Sequence, residues 1–325
     1  MLTYLIRRVL YAVLVLIGVN LLTFVLFFSV NTPDDMARLT LGERRVSPEA
    51  VARWKADRGF DKPTYYNPEA EGVAKLTDTI FFNTSADSAR FRFGHANDGR
   101  EIRHQIAERL PASLAIALPV FLATVGISIV FALALALLRG TRLDSAGVVT
   151  LVGLMSVSSL FFIILGQYLF SKMLRLMPAS GFAPGPAMFT FVLLPVVCMI
   201  LARLGPDSRL YRSIYIEELG KDYVRTARAK GLSEAVVLVR HVLRNSMIPI
   251  ITASSLLLPA LFVGSIVTES FFSIPGLGSL TIEGINTQDF NIVRAMVFFG
   301  SLLYVVAFLL TDIAYSWADP RIRLH

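Results

Sequence analysis

The sequence predicts an all-α integral membrane protein with six transmembrane helices, and three observations carry that expectation. Apolar residues make up 54% of the 325-residue chain and charged residues only 17%, against roughly 25% charge in a soluble domain. Mean hydropathy is +0.61. Apolar runs long enough to cross a bilayer recur along the chain and are separated by polar, basic segments.

The same composition narrows the function classes. A net charge of +7 could point to nucleic acid or to anionic lipid. The basic residues lie between the apolar runs, as topology signals do, so membrane lipid is expected as a partner and nucleic acid is not. The single cysteine, Cys198, lies inside an apolar run and excludes an internal disulfide; its type favours a small buried hydrophobe. His95, His104, His241 and His325 show no ligand spacing, so neither a metal site nor a bound cofactor is expected.

Met1–Arg8 is short and basic, and Val9–Val30 follows as 22 residues without a charge. That run exceeds the 7–15 apolar residues of a signal peptide, so it reads as a retained first helix. Residues 31–108 differ in kind, with 12 Lys and Arg, 13 Asp and Glu, and four prolines. They read as an extramembrane loop or cap, and aromatics such as Trp54, Phe60, Phe81 and Phe93 favour a folded cap over a floppy loop. The remaining spans are read at Leu110–Leu138, Val148–Phe170, Ala187–Ala202, Ser246–Thr268 and Ala295–Thr311. Pro111 suits the opening of the second span, and Pro119 should kink it. Gly153, Ser156, Ser158, Ser159 and Gly166 in the third allow close helix approach. The chain thus divides into 1–30, 31–108, and a transmembrane core 109–325 that includes a polar stretch at 203–245.

Six spans place both termini on one side. Assigning that side to the cytoplasm gives it 15 Lys and Arg, nine of them between Arg203 and Arg244. The two short outer loops carry three: Lys172, Arg175 and Arg294. Long loops are exempt from this rule, so residues 31–108 are expected outside, and the termini and the 203–245 stretch inside.

Chemistry is sparse. No phosphate-binding G-x4-G-K-[ST] loop, G-x-S-x-G elbow or H-E-x-x-H pair occurs. Glu269 and Asp312 stand at span ends, where water is expected to reach them, and Asn20 and Gln167 suit interhelical hydrogen bonds. Asn20, Gln167 and Glu269 are also the candidates for a translocation path. A chain without an engine needs an outside source of energy or acts as a passive pore.

Asp222–Pro249 is the segment suited to receive work. It is basic, with Arg225, Arg228, Lys230, Arg240 and Arg244, and topology signalling alone would account for those charges. Its pattern adds a helix up to Lys230, a break at Gly231 where positive φ is tolerated, an N-cap at Ser233, and a second helix running into the fifth span. The small residues Thr226, Ala227, Ala229 and Gly231 would let a partner's cleft close around such a lever.

Asp222-Tyr223-Val224-Arg225-Thr226-Ala227-Arg228-Ala229-Lys230-Gly231-Leu232 resembles the cytoplasmic EAA loop of ABC-importer permeases, in the version of the dipeptide/oligopeptide family. Tyr4–Arg8, Gly59–Pro63, Glu108–Leu114, Pro178–Gly181, Glu269–Gly278 and Asp319–Arg323 resemble the family collinearly over nearly the whole chain. Against the general E-A-A-x3-G-x9-I-x-L-P pattern, the Glu position is Arg225, the first Ala is Thr226, the Ile is His241 and the Pro is Arg244. The family's outer Gly-Asp-Leu-Gly element is replaced near Arg92–His95.

The resemblance implies a type I importer permease fold and one half of a heterodimeric pore completed by a second homologous permease. Cytoplasmic ABC ATPase subunits would hold ATP and Mg, and an extracytoplasmic solute-binding protein would deliver peptide. The chain itself would be no enzyme and would sit in the bacterial inner membrane. It further implies ATPase coupling through Tyr223, Arg225, Thr226, Ala227, Arg228, Ala229, Lys230, Gly231 and Leu232. Relatives that carry nickel chelates, glutathione, opines or oligosaccharides share the pattern. A channel or secondary carrier would instead show ion-coordinating residues or inverted repeats with broken helices.

Overall fold

A computed structural model describes residues 2–42, 46–255 and 266–318. The described residues form helices α1 (Leu2–Val30), α2 (Pro33–Leu41), α3 (Pro48–Asp57), α4 (Ala74–Thr77), α5 (Ile80–Ala89), α6 (Ile102–Leu137) and α7 (Arg142–Met155). Next come α8 (Ser159–Gly166), which widens into a π turn at Gln167–Met173, and α9 (Met188–Leu219). Helices α10 (Asp222–Ala229) and α11 (Glu234–Val236) lead through a second π turn, Val237–Val242, into α12 (Leu243–Ser255). The last are α13 (Ile266–Phe272), α14 (Leu277–Asn286) and α15 (Phe290–Ala318).

Among the described residues, five stretches are long and apolar enough to cross a membrane: Ile6–Val30, Ile102–Leu137, Gly185–Leu219, Glu234–Ser255 and Phe290–Ala314. A sixth is the pair Arg142–Met155 and Ser159–Met173, if its bent halves count as one span. All-helical spans satisfy their own backbone hydrogen bonds, which lipid cannot do for them. Helix α1 exposes apolar side chains around its circumference, among them Leu10, Leu14, Leu22 and Leu26, as a lipid-facing helix must.

The chain groups into two compact units. One joins Leu2–Pro111 to Gly276–Val305, and the other joins Ala112–Pro275 to Val306–His325. In the first, the segment after α1 is folded. Thr32 and Asp35 form a reciprocal capping box that starts α2. Phe24 of α1 packs edge-on against Phe81 and stacks on Phe28, which meets Phe60, and Trp54 lies beside Phe60. A second cluster gathers Ile102, Ile106, Leu277, Leu280 and Ile292. The Arg109 guanidinium donates to Glu283 Oε2 at 2.7 Å. Buried Asp289 caps α15 by accepting from the backbone N–H of Asn291 and Ile292, and also from that of Asn97.

In the second unit one core cluster holds Ile116, Ile163, Leu194, Cys198, Phe272 and Ile274. The other holds Ala132, Ala136, Tyr211, Tyr215, Val237, Leu238 and Val242. Close approach is built from glycine. A Cβ on Gly205 would stand 2.8 Å from the Leu151 carbonyl oxygen, and one on Gly166 2.4 Å from Cys198 Sγ. The carboxylate of Asp144 (α7) receives Nε and Nη2 of Arg212 (α9) at 3.1 and 2.8 Å, and the Gly140 N–H as well.

Several span expectations are corrected. The third span is no continuous helix across 148–170: it turns by 90° between Met155 and Ser159. Ser158 takes extended backbone angles and its hydroxyl accepts from the Leu160 N–H, so it caps a new helix and cannot continue the old one. The fourth helix does not stop at Ala202 but reaches Leu219, because Ser208, Tyr211, Tyr215 and Glu218 keep one face buried at helical spacing. Pro111 lies inside α6, nine residues from its start, and not at its opening. Residues 256–265 of the expected fifth span, with Pro259, and the Asp319–Arg323 motif lie outside the described residues.

Gly205→Val is expected to lower stability by about 1–3 kcal/mol through overpacking of α7 on α9. A fall in the thermal unfolding midpoint of the detergent-purified chain checks this, and an unchanged midpoint refutes the close approach.

Candidate functional site

The basic segment folds as its sequence pattern demands, and its detail comes from which side chains turn inward. Helix α10 presents Val224 and Ala227, three residues apart, to the core formed by Tyr211, Tyr215, Val237, Leu238 and Val242. Arg225, Thr226, Arg228, Ala229, Lys230, Gly231 and Leu232 are exposed. Of the four small residues expected to line a partner's cleft, Ala227 is therefore turned away, because it sits at the core-facing register with Val224.

The bend is at Gly231, whose φ of +77° favours a residue without a Cβ. Ser233 occupies the N-cap position of α11 with extended angles, though its hydroxyl makes no capping bond. A bidentate pair holds the bend shut from outside: Arg228 donates to Glu234 through Nε at 2.7 Å and through Nη2 at 3.0 Å. Beyond it, Val237–Val242 widens into a π turn and α12 continues as far as Ser255.

Glu218 ties α9 to this segment. It is buried, it pairs with the Lys221 ammonium, and it accepts the Tyr223 hydroxyl at 2.6 Å. That second bond fixes Tyr223 over the turn between α9 and α10. Burial first, and the Glu218 contact second, push the Tyr223 phenol up to about 12. The exposed face is cationic, since Arg225, Arg228 and Lys230 outnumber Asp222 on α10 and its C-terminal turn. Such a surface suits an acidic or dipolar partner by charge.

Each of the translocation candidates has a hydrogen-bond partner within its own unit. The Asn20 side chain is occupied inside the N-terminal unit, where its Nδ2 donates to Ser85 Oγ at 2.6 Å. The Gln167 amide donates to the Ala179 carbonyl at 2.8 Å and to the Phe271 carbonyl at 3.1 Å, tying the π turn to α13. Glu269, expected at a wet interface, is 1% exposed and accepts from the Ser113 hydroxyl at 2.8 Å. A buried Ser neighbour thus takes the place of water.

Sequence reading passed over Glu218 and Asp144. Glu218 had a signal in the 208, 211, 215, 218 spacing. Asp144 had one in Thr141-x-x-Asp144, a capping pattern in which the Thr141 hydroxyl accepts the Asp144 N–H.

Comparison with known families meets this geometry at both ends. Residues 126–324, which include the whole basic segment, match the family described as binding-protein-dependent transport system inner membrane component. Residues 1–117 match that system's N-terminal membrane component. The chain belongs to this family. A provisionally named peptide transport system permease protein of Brucella abortus (strain 2308) is 34% identical over 98% of each chain. The di/tripeptide transport system permease protein DppB of Pseudomonas aeruginosa is 31% identical over 99% of each. The dipeptide transport system permease protein DppB of Escherichia coli is 27% identical over 99% of each.

Tyr223→Phe removes a bond to a buried carboxylate and is expected to cost about 1–3 kcal/mol. Its pH dependence has a definite sign. The folded-state value is raised above 10, so the phenol's contribution is complete below about pH 10 and is lost as pH climbs towards 12. Thermal midpoints measured from pH 8 to 12 should converge for wild type and variant at the alkaline end; parallel curves would refute the contact.

Proposed function

We propose that this chain is the transmembrane permease subunit of an ATP-driven ABC importer that carries di- or oligopeptides across the bacterial cytoplasmic membrane. The observation that carries the reading is end-to-end likeness to peptide permeases: 98–99% of the chain aligns with relatives bearing that name. The helices supply a route through lipid, and the chain does no chemistry of its own; ATP and Mg bind on separate ATPase subunits. A solute-binding protein delivers the peptide, and a second homologous permease completes the pore, which takes the type I arrangement.

In this reading the termini and residues 203–245 face the cytoplasm, and residues 31–108 face outward. The distribution of Lys and Arg supports that orientation. The exposed side of α10, from Arg225 to Leu232, docks in a cleft of the ATPase. Closure of the ATPases on ATP moves α10. Its buried side, Val224 and Ala227, shares one core with the end of α6, with α9 and with the π turn before α12. A displacement of α10 therefore moves those helices as a body, the rigid-body switching that alternating access requires. The Arg228–Glu234 clamp stiffens the bend so that the push is not absorbed there.

The test is co-purification of the ATPase subunits with the permease, together with peptide-stimulated ATP hydrolysis in vesicles. Gly231→Arg, or Arg225→Glu with Lys230→Glu, is expected to cut both by about ten-fold or more, the equivalent of about 1.4 kcal/mol of docking energy. Unchanged docking would sink the coupling role of α10. Peptide uptake without ATP would sink the importer reading.

A further inference from the structure

The N-terminal unit contains a cavity of about 400 Å³ that the transport reading leaves without a task. Its volume falls in the roughly 300–1,000 Å³ range of small-molecule sites. Arg58, Arg92 and Arg294 line it together with Asp57, Asp87 and Phe60. Arg294 lies one turn into α15 and is half-buried, yet no hydrogen bond or salt bridge to it is found among the described residues. Asp87 is the acid whose charge reaches it, from beyond salt-bridge distance. A guanidinium carries five donors, and a desolvated one calls for an anion.

Arg58 is in a similar position. It lies over the Trp54 ring at 4.5 Å, and its one side-chain bond, from Nη2 to Asn97 Oδ1, is long at 3.5 Å. Burial pulls its ionisation below the ordinary value. Arg92, Asp57 and Asp87 are exposed and form no salt bridge among the described residues. The wall at 95–97 is tied to the start of α15, since Asn291 Nδ2 donates to the His95 carbonyl at 3.2 Å and Asp289 accepts the Asn97 N–H. The cavity is therefore framed without a ligand, and among the described residues none of its three arginines forms a salt bridge, although Asp289 and Asp57 act on the Arg58 charge from a distance.

We propose that this cavity binds the C-terminal carboxylate of a peptide between Arg294, Arg58 and Arg92. The source follows from size and sign. One acidic side chain of a docking protein would leave most of the cavity empty, whereas a peptide of two or three residues fills it. Asp57 and Asp87, which also line the cavity, carry the charge that suits a peptide's ammonium group. The choice of peptide as ligand rests on the importer reading; the carboxylate chemistry does not.

The experiment is titration of the detergent-purified transporter, without its binding protein, with trialanine and with trialanine amide. ATP-driven trialanine uptake by reconstituted vesicles is measured in parallel. Saturable trialanine binding is expected, weakened about ten-fold or more by amidation and by Arg294→Gln, the loss of a charge-assisted contact. Arg92→Gln, on an exposed side chain, should weaken it in the same direction without disturbing the fold.

Absent binding of both trialanine and propionate, equal binding of trialanine and its amide, or variants that bind as wild type overturn the site. If uptake proceeds in those cases, the peptide-importer reading survives alone. Arginine-dependent binding of propionate with no uptake or binding of trialanine keeps the carboxylate site and overturns the peptide as its source. Unchanged trialanine binding with reduced capture of the solute-binding protein by Arg92→Gln assigns the cavity to a protein carboxylate and overturns the proposal.

Discussion

Two small side chains, Val224 and Ala227, fasten the basic segment to the rest of its unit. They are packed against Tyr211 and Tyr215 of α9 and against Val237, Leu238 and Val242 of the following turn. An eight-residue helix has little stability of its own in water. Without this burial α10 would be a polar excursion with helical tendencies. With it, the helix has one face committed to the core and the other exposed, and the chain's own packing sets its position.

Three buried acids of the same unit each have a partner. Asp144 is held by Arg212 and by the Gly140 N–H, Glu218 by Lys221 and Tyr223, and Glu269 by Ser113. Removing one member of a buried ion pair typically costs about 3–5 kcal/mol, whereas replacing both members by apolar residues is often neutral. Such pairs therefore fix position more than they add net stability. Asp144–Arg212 sets α7 against α9, and Glu218 sets the angle at which the chain leaves α9. Both act on the helix that carries the core-facing tyrosines.

The sequence was most legible where one local rule governed. Length and apolarity placed the first, second and last spans, Gly231 marked the bend, and Ser233 marked the next start. It was least legible where periodicity crossed a change of polarity. Helix α9 runs 17 residues past Ala202 because its buried face continues under a charged exterior, and a count of apolar residues does not see one face. The break at Ser156–Ser158 was read as small residues serving close packing. Gly166 does serve it, but the serine hydroxyls cap backbone instead. Glu269 depended on a partner 156 residues away, which spacing along the chain does not disclose. The cavity arginines were invisible for the same reason, since Arg58, Arg92 and Arg294 come from three separate stretches.

The two π turns, Gln167–Met173 and Val237–Val242, bear on how this lineage tolerates insertions and deletions. A helix takes on a π turn when it holds a residue more than the ordinary ladder accommodates, and the surplus is absorbed locally. At those two places chain length and side-chain direction are uncoupled. A descendant shorter by one residue there would regain a regular ladder and still point its flanking residues the same way. The same deletion in α9 would turn every later side chain by about 100°, given 3.6 residues per turn. Within the described helices of this unit, a one-residue change of length is therefore absorbed most readily at these two places, one beside the Gln167 amide and one directly after the bend.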